Sequence, residues 1–118
     1  MIMYPKYSSG SVAFVPILSP IRPDALHSVQ LGNPVIIQLK YDKESDSGRN
    51  QSRQESSHAH QVVLHPTSGE LLVPNLGTDE VCRFKKTGPR KWESVSGRNG
   101  DVQYKTGGGP RHVAFYRI

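Results

Sequence analysis

The fold class that the sequence predicts is all-β with antiparallel strands, and three observations support this prediction. Apolar residues alternate with polar ones in short runs, turn-forming residues separate these runs, and no stretch has the apolar period of a helix. Hydrophobic residues make up only 35% of the 118 residues, against 11 glycines and 9 prolines. This composition indicates many turns around a small core, within one ordinary domain.

Seven strands are predicted in chain order, at residues 11–17, 35–41, 61–64, 71–73, 80–84, 102–104 and 112–116. The first strand is expected to turn Ala13, Val15 and Ile17 to one face. The second strand alternates apolar side chains with Gln38 and Lys40. The third is a compact apolar run, typical of a buried strand.

Polar residues interrupt this pattern in one long segment and in the turns. Residues 42–57 (DKESDSGRNQSRQESS) contain no apolar side chain, so we expect a flexible loop that joins no core. Asn75 and Asp79 are expected to hold turns through side-chain hydrogen bonds to the backbone. Cys82 alternates with Phe84, which predicts a small core residue rather than a nucleophile.

An internal repeat indicates a β-propeller. Residues 60–66 (HQVVLHP) align with residues 111–117 (RHVAFYR), and residues 7–15 align with residues 76–84. A repeat of about fifty residues that contains about four strands is typical of a propeller blade.

The net charge of +5 raises the question of a nucleic-acid partner. The densest basic group surrounds one turn and contains Arg83, Lys85, Lys86, Arg90 and Lys91, without a nucleic-acid motif. A solvated rim is the favoured interpretation, so we predict no nucleic-acid partner.

The single cysteine fits a reducing compartment. Because no apolar run has membrane length and no signal segment opens the chain, we expect a soluble cytoplasmic protein without a membrane partner.

The stretch HAHQVVLHPTSGELLVPNLGTDEVCRF, followed by GGGPRHVAF, resembles the lactonase family of seven-bladed β-propellers. This family includes bacterial-type 6-phosphogluconolactonases and fungal carboxy-muconate lactonising enzymes, and the likeness is closest to the fungal branch. Its members have a His-x-His strand, an LLVP-Asn/Asp-LG-x-Asp turn and a G-x-GPRH-x-x-F entry to the next blade. YSSGSVAFVPI near the start is similar to a further family motif, so the resemblance covers the chain from Tyr7 onward, except the polar loop.

The chain departs from the family pattern at its two ends. It opens on MIMYPK instead of an apolar strand and Asn, and Arg117 stands where the pattern has proline. The glutamate of the family's catalytic group, which would follow, is absent. The resemblance therefore implies a partial β-propeller that is an excerpt of a longer protein. Its expected parts are a half blade at 7–41, the flexible loop at 42–57, a complete four-stranded blade at 58–105 and the inner strand of the next blade at 106–118.

His60 and Arg111 are the predicted catalytic residues. They occupy equivalent places in the repeat, so both should point into one channel mouth from neighbouring blades. An imidazole transfers protons near neutral pH, and a guanidinium holds an anion or stabilises an oxyanion. Lactone hydrolysis needs both groups, and the resemblance implies the same roles. Without the resemblance, polar strand-end residues that face water would be the simpler interpretation.

Three further residues are candidates for substrate binding: His58, on the strand face of His60; Arg53, in the polar loop; and His112, beside Arg111. A solvated position is the alternative for Arg53, and a hydrogen bond between blades is the alternative for His112. A His-x-His pair with a third ligand can bind zinc. Because no third ligand stands out, we predict no metal and no cofactor.

Two classes of function follow. The leading hypothesis is a lactonase that acts on a small anionic sugar-acid lactone, by 6-phosphogluconolactone-like hydrolysis or by muconolactone-type cycloisomerisation, and that is inactive as this piece alone. The alternative is a non-catalytic interaction piece that self-associates through exposed strand edges.

Overall fold

The computed structural model describes residues 1–18, 30–41, 48–95 and 100–116, and every regular element in these ranges is a β-strand. None of the described residues forms a helix that could cross a lipid bilayer. The strands are β1 (Ile2–Lys6), β2 (Ser11–Val15), β3 (Val35–Gln38), β4 (Val63–Leu64), β5 (Leu71–Asn75), β6 (Glu80–Gly88), β7 (Lys91–Ser94) and β8 (Val102–Gln103). All of them pair antiparallel, in two sheets, so the predicted all-β fold class is confirmed.

The second sheet has the width of one propeller blade. Its order is β4-β5-β6-β7, and β8 also pairs with β6. Strand β8 pairs with Glu80 and Val81 at the start of β6, whereas β7 pairs with its second half, from Phe84 onward. The two strands therefore share the outer edge of β6, and at Phe84 the sheet is four strands wide, formed by β4, β5, β6 and β7. This sheet, with the three-stranded sheet β1-β2-β3 beside it, forms a partial β-propeller.

Strand β1 was not among the predicted strands, because Pro5 interrupts its pattern. It forms the edge of the first sheet, where a residue without an N–H group is tolerated. In β2, Val12 and Phe14 belong to the core cluster, while Ala13 is buried between Tyr4 and Ile36 on the other face.

Other predicted strands also differ from the observed ones in extent or burial. Strand β6 continues to Gly88, and the chain then turns back into β7. Strand β7 was not predicted, because Trp92 is its single apolar residue and one apolar residue gives no alternating pattern. Leu64, predicted to be buried, is 47% exposed. Residues 112–116, predicted as a strand, form no regular strand; the Val113 amide donates to the side-chain oxygen of Gln61 instead of a backbone carbonyl.

The core lies between the two sheets. Its buried members are Val12, Phe14, Leu39, Ala59, Leu71, Val73, Cys82 and Phe84. Phe14 of the first sheet stacks on Trp92 of the second, with ring centroids 5.4 Å apart. Burial, with Asp101 and Glu80 nearby, raises the pKa of the Cys82 thiol to about 12. Cys82 is therefore a core residue that holds its proton, in agreement with the sequence interpretation.

We expect Phe14→Ala to lower the free energy of unfolding by about 3–5 kcal/mol, because it removes a fully buried ring and leaves a cavity. Urea denaturation followed by circular dichroism measures this change. The matched control is Tyr4→Ala, on the neighbouring strand, where the side chain is half exposed and the expected cost is below about 1 kcal/mol. Equal effects of the two substitutions would contradict a core built on Phe14.

Candidate functional site

The polar segment that precedes the histidines is partly built into the fold. Residues 42–47 lie outside the described part of the chain, and the predicted flexibility of the segment stays a prediction. Gln54 and Ser57, however, are buried. The Gln54 amide nitrogen donates to the Leu76 carbonyl and to Asp79 Oδ1, both at 2.8 Å. The expectation that this segment joins no core was therefore wrong, because hydrogen bonds satisfy its polar groups as they are buried.

Two glycines in the neighbouring turns allow the backbone of this segment to approach closely. A Cβ atom on Gly77 would lie 1.7 Å from the Ser56 carbonyl oxygen, and one on Gly10 would lie 2.4 Å from that of Ser57. The Ser57 hydroxyl donates to the Lys40 carbonyl and accepts from the Asn75 amide nitrogen. The backbone is thus fixed on both sides where it enters the histidine strand.

Asp79 fixes the loop that leads to Arg111. Its two carboxylate oxygens accept the N–H groups of Gly107 and Gly109, both at 2.8 Å. Arg49 Nε lies 3.8 Å from the same carboxylate, and both side chains are buried. Asp79 was predicted only to hold its own turn, but it also determines where the glycine loop, and hence Arg111, lies.

His60 lies where the predicted inner strand begins. Its N–H donates to the Pro74 carbonyl, and its ring packs edge-to-face against His112, with centroids 5.0 Å apart. The ring atom Nδ1 is buried and has no hydrogen-bond partner among the described residues. Burial, and then the charges of His112 and Arg111, lower the pKa of His60 below its usual value. The lowered pKa favours the neutral imidazole, which is the state that a general base needs.

His58 differs from His60 in that both of its ring nitrogens have partners. Nδ1 faces the Tyr7 carbonyl at 3.0 Å, and Nε2 faces a Glu55 carboxylate oxygen at 2.8 Å. Its ring stacks on Tyr7, and the Tyr7 ring also contacts His60 edge-to-face. Both ring nitrogens of His58 thus have partners within the fold, and its predicted substrate-binding role stays a prediction.

Arg53 and Arg111 line one cleft of about 100 Å³, together with Asn50, Gln54, Leu76 and the glycine run 107–109. Both arginines are exposed. Two guanidinium groups that face one small cleft can hold a carboxylate or a phosphate. The structure thus brings His60, Arg111, His112 and Arg53 together at one end of the blade.

Glu80, Cys82 and Asp101 form the one group of potential metal ligands among the described residues, with ligand atoms within 4.8 Å of one another. Glu80 and Cys82 lie on β6, and Asp101 directly precedes β8. Burial raises the pKa of the Cys82 thiol to about 12, so this group keeps its proton at neutral pH, which disfavours metal binding. The absence of a metal from the histidine cluster stays a prediction.

Sequence reasoning missed Tyr7, Gln54 and Glu55 as parts of this site. Tyr7 belonged to a quoted motif, but nothing in its neighbourhood pointed to a contact with the histidines. Gln54 and Glu55 stood in an unbroken polar run, where no local signal separates a buried side chain from a solvated one.

Comparison with known proteins agrees with this architecture. A family model described as lactonase, 7-bladed β-propeller, matches residues 1–117. A probable 6-phosphogluconolactonase from Arthroderma benhamiae is 35% identical over 74 residues. The matched stretch covers 63% of this chain and 18% of that relative. No solved structure gives a significant match.

Asp79→Asn should release the glycine loop. The amide keeps one acceptor oxygen but turns an NH2 group toward a backbone donor, which should cost about 1–3 kcal/mol of unfolding free energy. Asparagine tolerates the positive φ of 58° at this position, so the backbone preference is preserved. Hydrogen exchange at Gly107 and Gly109 should accelerate. Glu80→Gln, which neutralises the adjacent carboxylate, is the control, and equal exchange in both variants would contradict the anchor.

His112→Gln should raise the pKa of His60, because it removes one of the positive charges that lower it. An NMR titration of the imidazole nitrogens measures this pKa. In the unmodified chain, the folded-state pKa of His60 lies below the unfolded-state value, so its contribution to stability is present above pH ~6.5 and is lost on acidification. His65→Gln is the control, since His65 contacts Phe115 rather than His60. A pKa of His60 that falls or stays constant in His112→Gln would contradict the assignment.

Proposed function

Because this chain belongs to the lactonase family of seven-bladed β-propellers, we propose that it supplies the base and the anion-binding part of a site that hydrolyses a sugar-acid lactone. The observation that carries the proposal is that the charge of Arg111, which lines one cleft with Arg53, helps to lower the pKa of His60. The name of the matched relative, a probable 6-phosphogluconolactonase, favours a phosphorylated sugar lactone over a muconolactone.

The chemistry follows from the roles of these groups. A water molecule attacks the lactone carbonyl while His60 takes one of its protons, and the negative charge that forms on the carbonyl oxygen is stabilised by a guanidinium. The ring C–O bond then breaks, and the imidazolium returns the proton to the leaving alkoxide. The product is the open-chain sugar acid, and no oxidant or further reactant is needed.

In this proposal the two arginines bind different parts of the substrate. Arg111, whose charge acts on His60, would stabilise the reacting carbonyl oxygen. Arg53 lines the same cleft from the polar segment and would hold the remote anionic group of the substrate. His112, in ring contact with His60, keeps the imidazole in place and contributes to its neutral state.

The 118-residue chain alone is expected to turn over a lactone slowly or not at all. His112 and Arg111 are the charged groups that act on His60, and among the described residues no carboxylate joins them. The assembled site would need a further acidic group to orient the water or to assist the leaving oxygen. A cytoplasmic location is part of the proposal, since sugar phosphates are intracellular substrates and the single cysteine forms no internal disulfide.

Binding of 6-phosphogluconate, the expected product, tests the proposal without requiring turnover. Arg111→Gln and Arg53→Gln should each weaken binding by about tenfold, since each removes a charged hydrogen-bond donor. Isothermal titration calorimetry measures the affinity. Lys105→Gln, an exposed charge change nearby, is the control.

Gluconate, which lacks the phosphate, should bind more weakly than 6-phosphogluconate and should lose less affinity in Arg53→Gln. If neither anion binds, or if Lys105→Gln weakens binding as much as the arginine substitutions, the lactonase proposal fails for this chain. The alternative of a non-catalytic interaction piece would then be favoured.

A further inference from the structure

The hairpin β1-β2 is the structural equivalent of the hairpin β5-β6. The pair Ile2–Val15 has its counterpart in Leu71–Phe84, 69 positions later, and the other residue pairs of the two hairpins follow in the same register. The turns match as well, with φ angles of 59° and 58° at the equivalent residues Gly10 and Asp79. Strand β1 therefore takes the place in the first sheet that β5 takes in the second.

Strand β1 lacks the neighbour that β5 has. On the side away from β6, β5 pairs with β4, through Leu71–Leu64 and Leu72–Val63. Among the described strands, β1 pairs with β2 alone. The outer edge of β1 thus presents backbone groups without a strand partner, and such an edge readily pairs with another strand.

Residues 111–116 are the sequence equivalent of β4. The internal repeat aligns Ala114 and Phe115 with the two residues of that strand. In the described structure residues 111–116 form no regular strand, and Phe115 and Tyr116 are 41% and 90% exposed. The chain therefore holds one unpaired segment that has the sequence pattern of the strand that β1 lacks.

The first sheet also exposes the face that the second sheet buries. Ile2 and Tyr4 are 43% and 41% exposed, whereas their equivalents Leu71 and Val73 are 0% exposed. Leu71 and Val73 belong to one core cluster with Val12 of the first sheet. The outward face at Ile2 and Tyr4 is thus built like a core face, but no element of the described chain covers it.

The second sheet carries a matching surface on its outward side. The equivalent of Val12 in this sheet is Val81, 69 positions later. Because Cys82 points into the core, its neighbour Val81 points away from it. Val102, which pairs with Val81, is 52% exposed. A second copy of the chain can therefore cover Ile2 and Tyr4 with Val81, as Val12 helps to cover Leu71 and Val73.

From the unpaired edge, the unpaired segment and the matching faces we propose that copies of this chain associate head to tail. Residues 111–116 of one copy add a strand to β1 of the next, with Phe115 opposite Ile2, while the Val81 face of the first copy packs on Tyr4 of the second. Each copy then provides the strands of two blades, and a ring of about three or four copies has a usual number of propeller blades.

The association also reaches the cleft of Arg53 and Arg111. The Leu76 amide donates to the His58 carbonyl at 3.0 Å, and the repeat equivalents of these two residues are Tyr7 and Gly109. Gly109 lines this cleft, so Tyr7 of the second copy would extend its wall. The association itself does not depend on the proposed lactonase function.

Sedimentation velocity over a range of concentrations tests the proposal on the 118-residue chain. The mass should rise to three or four times the 13.1 kDa of the single chain. Ala114→Pro removes a backbone N–H group from the added strand and should weaken association at least about tenfold. Ala114 is exposed, so the fold should be retained, and Ala114→Ser, which keeps the N–H group, is the matched control.

A second variant tests the sheet face. Tyr4→Lys places an ammonium group in the apolar contact and should also weaken association at least about tenfold. Tyr4→Phe, which keeps the ring, is its control and should associate like the unmodified chain. Circular dichroism of each variant verifies that it is folded before its association is compared.

Cysteine cross-linking between two single variants tests the register. Ile2→Cys mixed with Phe115→Cys should form a covalent heterodimer on mild oxidation, because directly opposite residues of antiparallel strands lie within reach of a disulfide. Both native side chains are exposed, so the substitutions should preserve the fold. Ile2→Cys mixed with Ala114→Cys, one position out of register, is the control.

A mass that stays at that of the single chain at every concentration would overturn the proposal. An oligomer that forms equally well in Ala114→Pro or in Tyr4→Lys would overturn it too, since another surface would then hold the copies together. Equal yields of the two mixed disulfides would show association without the proposed strand register, which also contradicts it.

Discussion

The carboxylate of Asp79 is the group on which the candidate site depends. It is buried, and it accepts hydrogen bonds from Gln54, Gly107 and Gly109, with Arg49 nearby. A buried carboxylate without partners costs several kcal/mol, so the charge is tolerated only when both loops are in place. The same bonds hold the loops. Asp79 therefore couples the burial of the polar segment to the position of Arg111.

The two histidines of the HAH motif have different chemistry because their hydrogen-bonding capacity is used differently. Both ring nitrogens of His58 have hydrogen-bond partners, the Tyr7 backbone carbonyl and the Glu55 carboxylate. The ring of His58 also stacks on the Tyr7 ring, which places that ring beside the next histidine. His60 keeps a ring nitrogen without a partner and has a lowered pKa. The two histidines of the motif therefore differ in their surroundings, and the proposed base is the second one.

The sequence by itself determined the strands β5 and β6 with the turn between them, and it predicted that His60 and Arg111 belong to one neighbourhood. Alternation, turn residues and an internal repeat are local or periodic signals, and each can be seen in the order of the residues. Only the tertiary structure decided that Gln54 is buried, that Asp79 anchors the glycine loop and that β1 pairs despite Pro5. The bond from Gln54 to Asp79 joins residues 25 positions apart. Whether a polar side chain is buried depends on the partner it meets across the fold, and that partner has no signature in the residues around it.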